Sequence, residues 1–225
     1  MDVDHALKAR ISVREFQGRS IGPDIIRALL DVARYSPSGG NLQPWQVIAV
    51  AGDERQAVTD LALKTLTDNP AGESDEAPIY PSKLWEPYRT RRYKLGEDMY
   101  ALLNISRKDK HKRFQRFTDN YRFFGAPVGV FFIIDRGMGR GQWAHLGMFM
   151  QSLALAATAR GLATCFQESW AMVLNTLHRH FELGDDSLVY CGMALGYADP
   201  DAAVNRLRSD RAPVEEFATL RGFDE

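Results

Sequence analysis

Cysteine is scarce: the 225-residue chain has only Cys165 and Cys191, each inside an apolar run and neither in a CxxC pair. That excludes a disulfide framework and a cysteine-built zinc site, and leads us to expect two buried, reduced thiols in the cytoplasm. Long hydrophobic runs are missing too. None reaches the roughly 18 residues of a membrane span, and Met1-Asp2-Val3-Asp4-His5 lacks the basic and apolar regions of a secretory leader. Neither charge sign is in excess, with 28 Lys and Arg against 29 Asp and Glu and a net charge of −1. Such balance offers no long-range attraction to nucleic acid or to an anionic membrane, so neither is expected as a partner. The basic stretch 107–122 carries seven Lys or Arg against two Asp, but spread around a helix, which reads as a solvated face.

Catalytic motifs are also lacking. There is no GxSxG, no HExxH and no P-loop. His178 and His180 stand two apart on an expected helix, point to different faces and cannot share a metal, and no metal site is expected elsewhere. Gly137-Met138-Gly139-Arg140-Gly141 follows a strand-like run, yet the third glycine of a dinucleotide fingerprint would fall at Gln142, so that match fails.

What is present centres on Ser36-Pro37-Ser38-Gly39-Gly40-Asn41-Leu42-Gln43-Pro44-Trp45. It links a helical pattern beginning at Pro23 to a strand-like run over 45–51, which is expected to be buried. Its small and hydrogen-bonding residues suit a binding loop better than a simple reversal. Upstream, Arg10-Ile11-Ser12-Val13-Arg14-Glu15-Phe16 alternates like a strand and puts Arg10, Ser12 and Arg14 on one side, a site for an anion or a heteroaromatic ring unless it is a solvated edge. Helices are expected over 2–9, 53–66 and 142–160 and across 172–181. The third is apolar nearly all round, as a core or subunit-interface helix would be. Val128–Ile134 reads as a strand buried on both faces, and Tyr190–Tyr197 as the last strand. Residues 69–83, with Pro70, Gly72, Pro78 and Pro81, form a long loop. It leads into Trp85, Tyr88, Arg92 and Tyr93, an aromatic and basic group able to stack on and neutralise an aromatic acid or to pack on its own helix. The order of elements predicts an α+β domain, with helices over a mixed sheet.

A chain without a nucleophile or metal site, but with a binding loop and recurrent arginines, borrows its chemistry from a cofactor. Arg10-x-Ser12-x-Arg14, the loop 36–45, Gly192-x-Ala194-x-Gly196-Tyr197 and the Arg211-Ala212-Pro213 tail resemble, in that order, the FMN-dependent nitroreductase family, its nitrobenzoate-reductase-like branch in particular. The resemblance spans about residues 8–215. It implies helices around a central mixed, mainly antiparallel sheet in an intertwined homodimer with FMN at the interface. A single domain over 1–225 would carry an insertion, or lid, at about 70–119. Arg10 and Ser12, with Arg208 or Arg211, would hold the FMN phosphate, and Arg14 would face the N1–C2 edge of the ring. Pro37, Ser38, Gly39 and Asn41 of the other subunit would line the cofactor. Asn120 would bond the pyrimidine edge, and the loop at Gln167 and Glu168 would present a backbone N–H towards N5. Trp85, Tyr88, Arg92 and Tyr93 would contact substrate.

The implied reaction is ping-pong hydride transfer from NADPH or NADH to a nitroaromatic or quinone-type acceptor, without a catalytic side chain. Two positions depart from the family pattern: Phe123 stands where many members have lysine, and Ser209 replaces a basic tail residue. Alternatives are a reductive dehalogenase or a flavin-fragmenting enzyme of the same superfamily, and a non-catalytic flavin-binding protein.

Overall fold

The computed structural model describes residues 1–73 and 79–223; Pro78 of the long loop lies outside them. Its helices are α1 (Val3–Ala9), α2 (Pro23–Ala33), α3 (Gly52–Asp68), α4 (Tyr88–Leu102), α5 (Lys110–Thr118), α6 (Arg140–Ala159) and α7 (Leu174–His180). Strands β1 (Gln46–Ala51), β2 (Val128–Asp135), β3 (Ala163–Gln167) and β4 (Ser187–Gly196) form a sheet in the order β1-β2-β4-β3, antiparallel at every junction. One isolated parallel bridge, Ser12 to Thr164, lies outside these four strands. The 10–16 segment is therefore not a full strand. It is an extended strip clipped to the free edge of β3, with Val13 N–H donating to Thr164 O at 3.0 Å.

Strand position explains which apolar runs are buried. β2 lies between two neighbours and under helices, so Val128 to Ile134 are all buried and its sequence need not alternate. β1 has one neighbour only, and among its residues just Val50 is buried. That corrects the expectation of a buried strand over 45–51: an apolar run does not reveal how many strands flank it.

Behind β2 and β4 sits an aromatic box. Trp170, Tyr121, Phe123 and Phe131 are fully buried, with the Trp170 ring 5.1, 4.9 and 5.0 Å from the other three in that order. Space for it comes from two glycines: a Cβ on Gly129 would strike the Phe123 ring, and one on Gly192 the Trp170 ring. Phe123 and Phe124 adopt left-handed backbone (φ 52° and 53°), a costly conformation for bulky residues that core burial of both rings offsets. Phe123, at the family's lysine position, therefore points into the core and presents no charge.

α6 confirms one part of its apolar pattern. Leu146, Phe149, Met150, Leu153, Ala154, Ala156 and Ala157 are buried, while Ala144, Gly147 and Met148 are left exposed. It holds the 36–45 loop through Trp45, stacked on Phe149 at 4.8 Å, and Ser152 Oγ, 2.8 Å from Ser36 Oγ. Both cysteines are buried free thiols.

Candidate functional site

Arg10 caps the C-terminus of α1, its N–H donating to Ala6 O. From there the alternating strip aims Arg10, Ser12 and Arg14 at one cavity of about 130 Å³, closed by Leu95, Leu207, Ser209 and Arg211. Arg208 lines the adjoining cavity with Lys8, Arg10 and Arg211. None of the ion pairs among the described residues uses Arg10, Arg14, Arg208 or Arg211, although many other arginines are paired. Burial and the nearby Arg211 charge push the Arg10 guanidinium below its usual range. Guanidiniums that converge, repel and lack a carboxylate make an anion site.

The surrounding framework is well tied. Arg211 is set by its own loop, Nη1 donating to Ser209 Oγ at 2.6 Å and to Ser209 O at 2.9 Å. Ser209 thus orients an arginine in place of the family's basic side chain. Arg14 N–H donates to Asn205 Oδ1 at 2.9 Å, and its carbonyl accepts from Arg116 Nη2 at 2.6 Å. Asn205 Nδ2 in turn donates to Glu15 O and Asp199 O, locking the tail against the strip. Arg116 is not the solvated cation expected of the basic helix. Its side chain is 11% exposed and pairs with Asp119 at 3.0 Å. Sequence alone carries no signal that singles it out from six neighbouring bases.

The 36–45 loop forms a tight turn apart from this cavity. Gly40 and Asn41 take φ of 60° and 55°, Asn41 N–H donates to Ser38 O, and Gln43 N–H donates to Ser38 Oγ at 3.0 Å. Pro37, Gly39 and Asn41 are exposed, and Gly39 abuts His145 of α6. One chain thus brings Arg10, Ser12, Arg14 and Arg211 together, but none of Pro37, Ser38, Gly39 and Asn41 lines their cavity.

On the other side of the strip, Gln167 Nε2 donates to Asn120 O at 2.5 Å, and Asn120 Nδ2 donates to Phe117 O at 2.8 Å. Gln167 is 1% exposed, so its amide serves the core. Glu168 is half-buried and accepts from Tyr190 Oη at 3.3 Å. Burial raises the Glu168 carboxyl, with the tyrosine bond opposing, and burial pushes the Tyr190 phenol up to about 12. Because folding raises this carboxyl, its stabilising protonated form is complete below the unfolded glutamate pKa and is lost as pH rises through the folded one. Glu168→Gln is accordingly expected to lift Tm modestly at neutral pH and to match the parent in acid below the ordinary glutamate range. Melting curves across pH would refute this if the two proteins stayed a fixed interval apart.

Trp85 and Tyr88 are exposed and meet edge-to-face at 5.4 Å. Arg92 stacks over the Tyr80 ring at 4.1 Å, and Tyr93 Oη accepts from Arg107 Nη1. α4, which carries Tyr88, Arg92 and Tyr93, has no buried residue. Arg92 lines a groove of about 480 Å³ that shares Leu95, Ser209 and Arg211 with the arginine cavity. Among the described residues no group of three or more potential metal ligands occurs, and no helix is long and apolar enough to cross a membrane.

An antiparallel sheet wrapped by helices, with an arginine strip clipped to its edge, places the chain in a known class. It belongs to the Nitroreductase family, whose model matches residues 7–197. It is 37% identical over 223 residues to a 4-nitrobenzoate reductase of Pseudomonas putida, covering 99% of this chain and 97% of that protein. A nitrobenzene nitroreductase of Ectopseudomonas oleovorans is 34% identical over 218 residues, 97% of this chain and 96% of that protein. Among solved structures, the FMN and NADPH-dependent nitroreductase NfnB from Sphigopyxis sp. strain HMH superposes with a TM-score of 0.96 at 41% identity, covering 99% of this chain and all of that one.

Proposed function

We propose that this protein is an FMN-dependent oxidoreductase that carries hydride from NADPH or NADH to a nitroaromatic or quinone-type acceptor. The observation that carries the reading is the carboxylate-free cluster of Arg10, Ser12, Arg14 and Arg211, a match in charge and donor chemistry for a phosphate monoester dianion. Arg10, Ser12 and Arg211 would hold that phosphate, with Arg208 at its flank. Arg14 would set a cation at the N1–C2 edge without a second charge from position 123, where Phe123 is buried in the core. Asn120 spends its amide N–H on Phe117, and among the described residues its Oδ1 has no protein donor, so it is suited to accept from the ring's N3–H. The Gln167 side chain is committed inward, which leaves only the main chain of the 167–168 turn to meet N5.

FMN, when bound, would supply the redox chemistry that links nicotinamide oxidation to reduction of the acceptor. For a nitro group the net change is R–NO₂ + NAD(P)H + H⁺ → R–NO + NAD(P)⁺ + H₂O. The proton comes from solvent; no thiol can serve as a nucleophile, since burial raises both Cys165 and Cys191.

The same reading makes the protein a homodimer. Ala144, Gly147 and Met148 are exposed on α6, the helix that holds the 36–45 loop through His145, Phe149 and Ser152, and a second copy covering them would bring Pro37, Ser38, Gly39 and Asn41 to the arginine cavity of its partner. Residues 1–225 then work as one cytoplasmic domain whose 70–119 insertion covers the site through α4. Reconstitution with FMN tests all of this. The protein should elute as a yellow dimer by light scattering and oxidise NADPH or NADH when 4-nitrobenzoate or a quinone is added. A colourless protein after FMN exchange, or one inert to every acceptor, refutes the proposal.

A further inference from the structure

The 480 Å³ groove between α4 and the tail has a charge left over. Arg91 is paired with Glu216 at 2.6 Å, and Lys94 with Asp98 and Asp210 at 2.7 and 2.9 Å. The pairs to Glu216 and Asp210 tie the α4 wall to the tail wall, while Asp98 lies on α4 itself. Arg92 has no carboxylate and no hydrogen-bond acceptor among the described residues; its guanidinium carbon stands over the Tyr80 ring, 4.1 Å from the centroid. A guanidinium covered on one face keeps its other face for a planar ring and its in-plane N–H groups for an anion.

The groove's position narrows the occupant. It shares Leu95, Ser209 and Arg211 with the arginine cavity and includes none of Arg14, Asn120 or Gln167, so it opens at the phosphate end of the site and away from the ring edge. A single-ring acceptor that must place its nitro group against the flavin ring cannot also reach the far groove. An extended dinucleotide can. We propose that this groove takes the adenosine end of the donor, with Arg92 stacking on the adenine and binding a 2′-phosphate, which makes Arg92 the residue that selects NADPH over NADH. This inference rests on the flavin reading above.

The test is calorimetric titration of the FMN-loaded dimer with adenosine 2′,5′-bisphosphate and with 5′-AMP, for the parent, Arg92→Ala and Arg92→Lys, beside steady-state kinetics with both nicotinamides. The parent should prefer the bisphosphate. Arg92→Ala should cut that preference, and the NADPH-to-NADH ratio of kcat/KM, by about tenfold, the loss of one charge-assisted contact. Arg92→Lys should recover part of the ratio. Equal binding of the two nucleotides by the parent, an unchanged ratio in Arg92→Ala, or a rise confined to the KM for 4-nitrobenzoate would each overturn the assignment. Failure of the flavin reading shows separately, as a protein that retains no FMN, on which the same two nucleotides are then titrated without flavin.

Discussion

The Arg10→Met/Arg211→Met double variant should bind FMN roughly a thousandfold more weakly than the parent, from the loss of two charge-assisted phosphate contacts of about 2 kcal/mol each. Yet the flavin-free variant should melt no lower. In the parent, Arg10 is half-buried beside Arg211, and both burial and that like charge disfavour its ionised form. Methionine keeps the aliphatic stem and removes the repulsion. The two arginines thus stand against the stability of the empty fold and in favour of the loaded one. The stabilisation that FMN gives the parent, a rise in Tm with ligand concentration, should vanish in the variant. Arg14 separates the roles. Arg14→Ala should slow flavin reduction more than it weakens FMN, because its backbone is pinned by Asn205 and Arg116 whatever its side chain. Fluorescence titration together with stopped-flow reduction decides the matter: equal losses in Arg10→Met and Arg14→Ala would contradict the division.

That cluster was half legible in the sequence. Alternation in 10–16 aligned Arg10, Ser12 and Arg14 whether or not the segment joined a sheet, because any extended backbone repeats every two residues. What alternation could not show is that Leu207, Ser209 and Arg211 of the tail close the same cavity while Asn205 ties the tail to the strip, since those contacts follow from the tail crossing the strip. Arg116 is hidden in the sequence for a related reason. Seven bases in one stretch look alike until the fold decides which is turned under Phe124 and beside Arg14. The unbroken apolar run of β2 announced burial well and that of α6 in part, but β1 did not, because edge or centre is a property of the neighbours. Phe123 illustrates the limit. Its identity at a position where many relatives carry lysine signalled a lost charge, while its left-handed backbone and its place over Gly129 became visible only in three dimensions.

Gly192→Ala should be among the most damaging single substitutions in the chain. Gly192 lies in β4 opposite Phe131, and the added Cβ would overlap Trp170 at Cδ1 and come within 2.6 Å of Nε1. Neither side can give. The glycine is held by ladder bonds on both flanks, to β2 and β3, and Trp170 is walled by Tyr121, Phe123 and Phe131. Overpacking against a rigid ring costs about 3 kcal/mol, which for a chain of this size lowers Tm by about 10 °C. Gly18, around which a Cβ would meet nothing within 4 Å, supplies the control, and Gly18→Ala should stay within about 0.5 kcal/mol of the parent. The damage should also reach the site. Trp170 adjoins Ser169, whose carbonyl accepts from Tyr121 Oη at 2.8 Å, and its indole N–H faces Gln167 Oε1. A displaced indole therefore shifts the 167–168 turn, which the proposed reading sets at N5, and on that reading Gly192→Ala should reduce flavin more slowly even at temperatures where it is fully folded. If it melted like Gly18→Ala, the aromatic box would be soft rather than close-packed, and the turn it supports would need another anchor.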